Sequence, residues 1–483
     1  VTARGRDALG VVVTSHDGRP TKIEGNTQHP SSYGGTDVRA QAYGWDLYDP
    51  DRSQSPAQQR GNALANATDE QLDEALEALV KKHEADQGEG LRLLATVSNS
   101  PSFRRMRDKV IAKFPKARFH TYSPVNDDNA REGARLTADG APGVPNYDYA
   151  KSAVTVSLGS DFLGSEPGAV AAGRRFGATR TLRSPNAPMS RLYVIESNYT
   201  VTGSMADHRL RASQSDIERL AIGLTGLLAA RGASSLKPIA DVVTRARSGT
   251  GLSDSELEWV NAVGEDLLAN RGRSVVVAGA GQPARVHGLV IAINAALGNF
   301  GSTAFFGPAI DPNDPSSRDS IVELAKDASK VSSLVSLGGT PVYDAPADMK
   351  FAELLGREGL TSLHLSSHRN ETSELSSWHA PMAHELESWG DQQSTDGAVA
   401  VQQPLIAPLY GGRSAIELLA KLAGEKTTSG HDLVRETHAA QIDKDTKALL
   451  AYGVSPSDLS AETVWRRSVQ SGVLLRHSPS SPQ

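Results

Sequence analysis

Cysteine is absent from all 483 residues. That excludes disulfides, thiolate nucleophiles, cysteine-type zinc sites, cysteine-ligated iron–sulfur clusters and thiolate-ligated molybdenum within the chain. A transition metal bound here would need histidine or oxygen ligands. Long apolar runs are missing too. The two longest, Leu220–Ala230 and Leu289–Leu297, fall well short of the roughly 20 residues that span a bilayer and read as buried helices. No charge of one sign dominates: the net charge of -6 arises from interspersed acids and bases, which argues against a dedicated nucleic-acid surface. No H-E-x-x-H, G-x-S-x-G or P-loop pattern occurs. The chain begins at Val1 rather than methionine, so an export signal was removed or never included, and its absence says nothing of compartment.

What is there is an ordinary globular balance, 39% hydrophobic and 22% charged, in a length that suggests about three domains or one large multilobed one. Val11–Gly25 places the turn Ser15-His16-Asp17-Gly18 between two extended runs, a hairpin signal. It opens a β-rich lobe ending near Pro56. A capped polar helix is predicted over Asp69–Asp86. Strands are predicted over Leu91–Asn99, Ala153–Phe162, Arg191–Ser197, Ser274–Gly281 and Val331–Gly339, with a helix over Ser215–Gly232. Near-continuous apolar strands alternating with helices predict parallel sheets covered on both faces, the doubly wound α/β class. The expected divisions are a β-rich lobe (1–56), α/β domains (57–310), a second α/β portion with long polar loops (311–425), and a C-terminal helical segment with a tail (426–483). The polar loops are expected at Phe306–Ser317 and Arg369–Ala400, and the tail is HSPSSPQ.

Chemistry-bearing motifs are few. Gly279, Gly281 and Ala284 form G-x-G-x-x-A between a predicted strand and helix, which would let backbone approach a pyrophosphate. The acidic ribose partner expected about twenty residues on is missing, since Thr303–Pro308 has no carboxylate. The turn therefore reads as a tight connection. His364 and His368 sit four apart in a strand-like segment, which would separate their rings by roughly 13 Å. His379 and His384 flank Pro381, which argues against one regular helix carrying both. The pairs Asp127-Asp128 and Asp49/Asp51 suit a hard cation but usually mark solvated turns.

Four stretches together resemble the large subunit of the molybdopterin (DMSO reductase-type) oxidoreductases. They are Gly18–Asp37, with Ile23-Glu24-Gly25-Asn26 and His29-Pro30, followed by Leu47–Ser53; Ala153–Ser165; Arg191–Leu210; and Gly279–Gly301 with Trp378–Asp391. Three departures stand out. Cluster-bearing members carry a cysteine seven residues after the His-Pro pair, where this chain has Asp37. The family's metal-ligand region falls near Tyr122 to Gly143, where Ser123 is the only serine. The Pro-Gly-Thr-Asp turn that approaches the pterin dinucleotide is replaced by Ser213-Gln214-Ser215-Asp216. GRPTKIEGN, LYDPDRSQS, GSMADHRL, HELESWGD and Gln403–Ala415 are similar to the cofactor-free part of the iron–sulfur B subunits of alternative complex III, a family of bacterial quinol oxidoreductases.

The resemblance implies a degenerate molybdopterin-oxidoreductase fold with no catalytic, cofactor-binding or metal site of its own. It implies a scaffold for a ferredoxin-like iron–sulfur part, a multihaem cytochrome c subunit and polytopic quinol-binding membrane subunits, with the clusters and c-type haems in those partners. It further implies an extracytoplasmic, peripheral place, a chain that ends before the family's last domain, and bulky side chains or rearranged loops filling the dinucleotide groove. Two alternatives remain open: a catalytic molybdopterin subunit whose metal takes an oxygen ligand from Ser123 or Asp127, and a module binding a nucleotide-like ligand at the Gly279 turn.

Overall fold

The apolar runs are strands, but shorter than their hydrophobic stretches: Leu91–Ala95, Val154–Leu158, Arg191–Glu196, Ser274–Ala278 and Ser333–Leu337. Turn-forming residues peel the chain off each sheet, as at Gly159, Gly338 and Gly339, all at positive φ. The computed structural model describes residues 2–61, 63–137, 143–182, 184–246, 251–311, 313–451 and 460–474. The tail HSPSSPQ lies outside them. The chain forms two compact units, neither continuous in sequence. One takes the described residues up to Asn126, from 313 to Ser394, and from Ala398 onward; the other takes Asp127–Asp311 with Thr395–Gly397. Divisions drawn at 56, 310 and 425 follow chain order, whereas the first unit's sheet joins strands that precede the second unit in sequence to strands that follow it.

That sheet has seven strands, in the order Ala63–Asn66, Ala57–Arg60, Trp378–Pro381, Thr361–Ser366, Ser333–Leu337, Leu91–Ala95, Arg118–Thr121. From Trp378–Pro381 to Arg118–Thr121 all neighbours are parallel. The two remaining strands are an antiparallel hairpin at one edge. Strand alternation assigns the two faces. Leu91, Leu93, Val335 and Leu363 pack with Leu72, Leu76 and Leu79 of the helix Asp69–Asp86 and with Met106 and Val110 of the helix Pro101–Lys113. Leu94 and Leu334 turn the other way, onto Ile321, Leu324 and Leu354. Each such leucine contributes about 1.5–3 kcal/mol by burial. The helix Asp69–Asp86 starts at a capping box of Thr68 and Gln71.

In the N-terminal lobe, Val11–His16 and Arg19–Gly25 form the expected antiparallel hairpin. Asp17 and Gly18 both have positive φ, the signature of a type I′ turn. The lobe also holds a helix, Val38–Leu47, that the β-rich expectation passed over. Its only buried residues are Ala40 and Leu47, so no apolar stripe announced it. The segment Arg369–Ala400 is likewise not a polar loop waiting on neighbours. It contains the sheet strand Trp378–Pro381, the strand Gly390–Gln393 and the start of Val399–Gln402. Its polar groups find partners inside the same unit: Arg52 pairs with Glu387 at 2.7 Å, and Asp391 accepts from Ser100 Oγ and Ser102 Oγ, both at 2.5 Å. Phe306–Ser317 begins as the strand Ala304–Ala309, paired with Gly143–Tyr147, and ends at Ser316, which caps the helix Ser317–Lys326.

The second unit is built on four parallel strands, in the order His208–Arg211, Arg191–Glu196, Val154–Leu158, Ser274–Ala278. Val154, Val156 and Leu158 face Ile217, Leu220, Val260 and Val290 from the helices Gln214–Ala230, Asp254–Ala269 and Ala284–Ala296. Leu192, Val194, Val275 and Val277 face Phe162 and Phe176. Leu220–Ala230 and Leu289–Leu297 thus lie in core-packed helices, and among the described residues no helix is long and apolar enough to cross a membrane. Ser274–Ala278 is an edge strand, yet its first four residues are buried. Asn294 replaces a neighbouring strand there: its carboxamide accepts from Val276 N at 3.1 Å and donates to Val276 O at 2.7 Å, while Thr303 Oγ1 donates to Ser274 O at 2.5 Å.

Candidate functional site

Open parallel sheets bind ligands outside the carboxyl ends of their strands, where the connections diverge to opposite sides. In the second unit that point lies between Val154–Leu158 and Ser274–Ala278, at Gly159 and Gly279. The G-x-G-x-x-A motif therefore does stand on a strand–turn–helix, with Ala284 opening the helix Ala284–Ala296. But the close backbone approach that Gly279 permits is to protein: a Cβ there would collide with the Gly159 carbonyl. Gly281 faces open space. Above the seam, Gln282 Nε2 reaches Gln214 Oε1 at 2.5 Å, and Gln214 reaches Ser197 Oγ at 3.3 Å.

One donor of the turn is taken by a side chain. Ala280 N–H donates to Glu166 Oε1 at 3.2 Å, and Ser160 Oγ donates to Glu166 Oε2 at 2.5 Å. Burial pushes the Glu166 carboxyl above its ordinary range, these hydrogen bonds opposing the rise. Asp161 lies beside it. Although burial raises that carboxyl, hydrogen bonds from Thr202 N–H and Oγ1, at 3.0 and 2.9 Å, hold it below the usual range. Glu196, at the end of the next strand, accepts from Thr200 Oγ1 at 2.6 Å and Arg209 Nε at 2.5 Å. Three arginines near this edge are matched to carboxylates, Arg209 to Glu196, Arg219 to Glu256 and Arg285 to Glu218, while Arg211 at the end of its strand is exposed. A phosphate here would meet the half-buried Glu166 and Asp161, the buried Glu196 and three arginines already paired, which disfavours an anion. Ser213-Gln214-Ser215-Asp216 is the start of the helix Gln214–Ala230, with Ser213 Oγ accepting Asp216 N–H. Glu166 and Glu196 went unnoticed in sequence, although Glu166 stands next to the recognised stretch that ends at Ser165.

In the first unit the signature turn holds the lobe together. Asn26 O accepts from His29 N and Gly34 N, Asn26 Nδ2 donates to Ser471 O at 2.7 Å, and His29 lies fully buried against Gly10. Asp37, where cluster-bearing relatives have cysteine, caps the helix Val38–Leu47 by accepting Ala40 N–H at 2.7 Å. Ser123 Oγ accepts from Val97 N at 3.2 Å. Asp127 precedes the helix Asp128–Arg135 of the second unit, and Asp128 is that helix's first residue. Asp49 Oδ1 accepts from Asp51 N at 2.9 Å in a local turn.

The histidines are spread along hydrogen-bonded chains. Burial depresses His364 to about 4, and burial with neighbouring positive charge depresses His379 to about 3, so both are neutral at pH 7. His379 Nε2 meets Ser53 Oγ at 2.6 Å, Ser373 Oγ bridges the Nδ1 atoms of His379 and His364 at 3.1 and 2.9 Å, and His364 Nε2 meets Gly339 O at 3.0 Å. Ser53–His379 has the outline of a nucleophile and base, but an imidazole this weakly basic is unsuited to deprotonating a serine. His368 meets Asp49 Oδ2 at 3.3 Å, and His384 Nδ1 accepts from Leu386 N at 3.1 Å. No group of three or more His, Asp or Glu among the described residues is placed to hold a metal ion.

The sequence matches no protein-family model. Acetylene hydratase from Pelobacter acetylenicus superposes with a TM-score of 0.66 at 14% identity, covering 86% of this chain and 68% of that one. The chain has the molybdopterin oxidoreductase (DMSO reductase-type) large-subunit fold. Over an alignment 518 positions long, gaps included, it is 25% identical to the "menaquinone reductase, molybdopterin-binding-like subunit" of Nitratidesulfovibrio vulgaris (strain Hildenborough), spanning 98% of this chain and 72% of that protein. The likeness read from the four sequence stretches therefore extends over nearly all of the chain.

Proposed function

We propose that this chain is a subunit of a membrane-associated quinone oxidoreductase complex related to alternative complex III, and that it serves there as a scaffold without a redox centre of its own. The relative's name supports the quinone-oxidoreductase setting. The observation that carries the scaffold reading is the Gly279 turn, where Glu166 takes the Ala280 amide and the Gly159 carbonyl lies against Gly279. That occupied amide and close backbone contact support a turn without a pterin dinucleotide or a free nucleotide. With fold retained and ligand site closed, what remains useful is surface. The partners proposed are a ferredoxin-like iron–sulfur part, a multihaem cytochrome c and quinol-binding membrane subunits, on the extracytoplasmic face of the bacterial inner membrane.

The test is to isolate the complex from membranes through a tag on this chain. Co-purification of haem-bearing, iron–sulfur and polytopic subunits is expected, with molybdenum, tungsten and pterin fluorescence each far below one equivalent per chain. Stoichiometric metal with pterin would replace the scaffold with a catalytic subunit. Digestion of this chain by protease added to spheroplasts is expected from the proposed location, and protection until lysis would refute it.

A further inference from the structure

Between Asp396 and Arg413 the sequence carries no charged residue. Within this run Pro404–Tyr410 lies outside helices and strands, with Leu405 40% and Leu409 46% exposed. Soluble surfaces seldom leave such a run of aliphatic side chains and prolines uncovered. The loop is held firmly: Leu405 N donates to Leu386 O at 2.8 Å and Leu409 N to Glu387 Oε1 at 2.9 Å. It forms one wall of a cleft of about 420 Å³ whose other walls include the half-buried Trp389 and Glu417.

The cleft's charged groups are both carboxylates, Glu387 and Glu417. Glu387 is neutralised by Arg52 at 2.7 Å. Glu417 accepts from Ser414 N and Oγ, each at 2.8 Å, in the capping box of the helix Ala415–Ala423, and no cation pairs with it among the described residues. We infer that this cleft receives a segment of another subunit bearing an aliphatic or aromatic anchor beside a lysine or arginine. The anchor would pack on Leu405 and Ile406 in the cleft, with the exposed Leu409 following the cleft-lining Pro408, and the cation would lie between the Trp389 indole face and the Glu417 carboxylate. A concave, acid-lined surface suits a protruding side chain and disfavours a flat anionic bilayer. The inference rests on the chain being a complex subunit, as proposed above.

The test uses the whole complex, with a photoreactive benzophenone residue placed at Leu405 or Leu409 of the full chain. A cross-link to another subunit is expected, mapped by mass spectrometry to a peptide containing lysine or arginine. Leu405→Asp with Leu409→Asp should lower recovery of that subunit about tenfold while leaving the thermal unfolding of this chain unchanged. Glu417→Gln keeps a capping side chain and should weaken recovery several-fold, with the loss diminishing at high salt. A cross-link to lipid or to a second copy of this chain overturns the inference, as does unchanged recovery in the double variant. Failure of the unmodified chain to co-purify with any membrane subunit instead overturns the proposed function, and this inference falls with it.

Discussion

Two glycines one residue apart illustrate how differently backbone can be used. Gly279 lies against the Gly159 carbonyl, whereas a Cβ at Gly281 would meet nothing. Gly279→Ala must therefore push two strand ends apart, and a loss of about 1–3 kcal/mol is expected. Gly281→Ala should be close to neutral, and thermal unfolding of the two variants side by side checks the contrast. Asp391 is the other residue whose environment makes a sharp demand. It is fully buried, and burial alone would raise its carboxyl. Hydrogen bonds from His438, at 2.7 Å, and from Ser100 and Ser102 outweigh that and hold it below the ordinary range. A depressed carboxyl stabilises the fold above its unfolded pKa, and that contribution disappears as pH falls through the folded value, here below pH 4. Asp391→Ala strands His438 and two serines and should cost about 3–5 kcal/mol, read by urea titration at pH 7. In Asp391→Asn the component of acid unfolding below pH 4 should be lost.

Among the elements, the edge strand Ser274–Ala278 is completed by side chains, chiefly Asn294 with Thr303 beside it. The Asn294 carboxamide pairs with both the N–H and the C=O of Val276, so the buried edge has no unmet backbone group at that residue. Asn294→Leu removes both partners in the interior. A loss of about 2–4 kcal/mol is expected, together with faster amide exchange at Val276, which hydrogen-exchange mass spectrometry would detect.

For the molecule as a whole, buried neutral histidines set the response to acid. Burial depresses His120, His287, His364 and His384 to about 4, and burial with added positive charge depresses His379 to about 3. Between about pH 6.5 and 4 the unfolded chain takes up protons that the folded chain refuses, so stability falls as pH is lowered through that window. The full loss is about 3 kcal/mol for a histidine depressed to about 4, and larger for His379. Four of these five histidines lie in the first unit, so its urea midpoint should drop more between pH 7.5 and pH 5 than that of the second. Unit-specific hydrogen exchange would show the difference. His364→Asn with His379→Asn should flatten the dependence.

Local chemistry already dictated much of this. The type I′ turn at Asp17-Gly18, the capping box at Thr68, and apolar runs needing cover on both faces were all legible in the chain, because each depends on residues close in sequence or on period alone. The zero cysteine count needed no coordinates either. Contacts between distant residues were not legible. The helix Val38–Leu47 lacks a stripe; Arg369–Ala400 looks solvated until Arg52 and Ser100 are seen to reach it. Glu166 is an unremarkable acid in sequence, and it acquires meaning only where Ala280 presents an amide to it across 114 positions of chain. Propensity and pattern act over a few residues, whereas closure of a ligand site is a matter of which distant groups folding brings within hydrogen-bond reach.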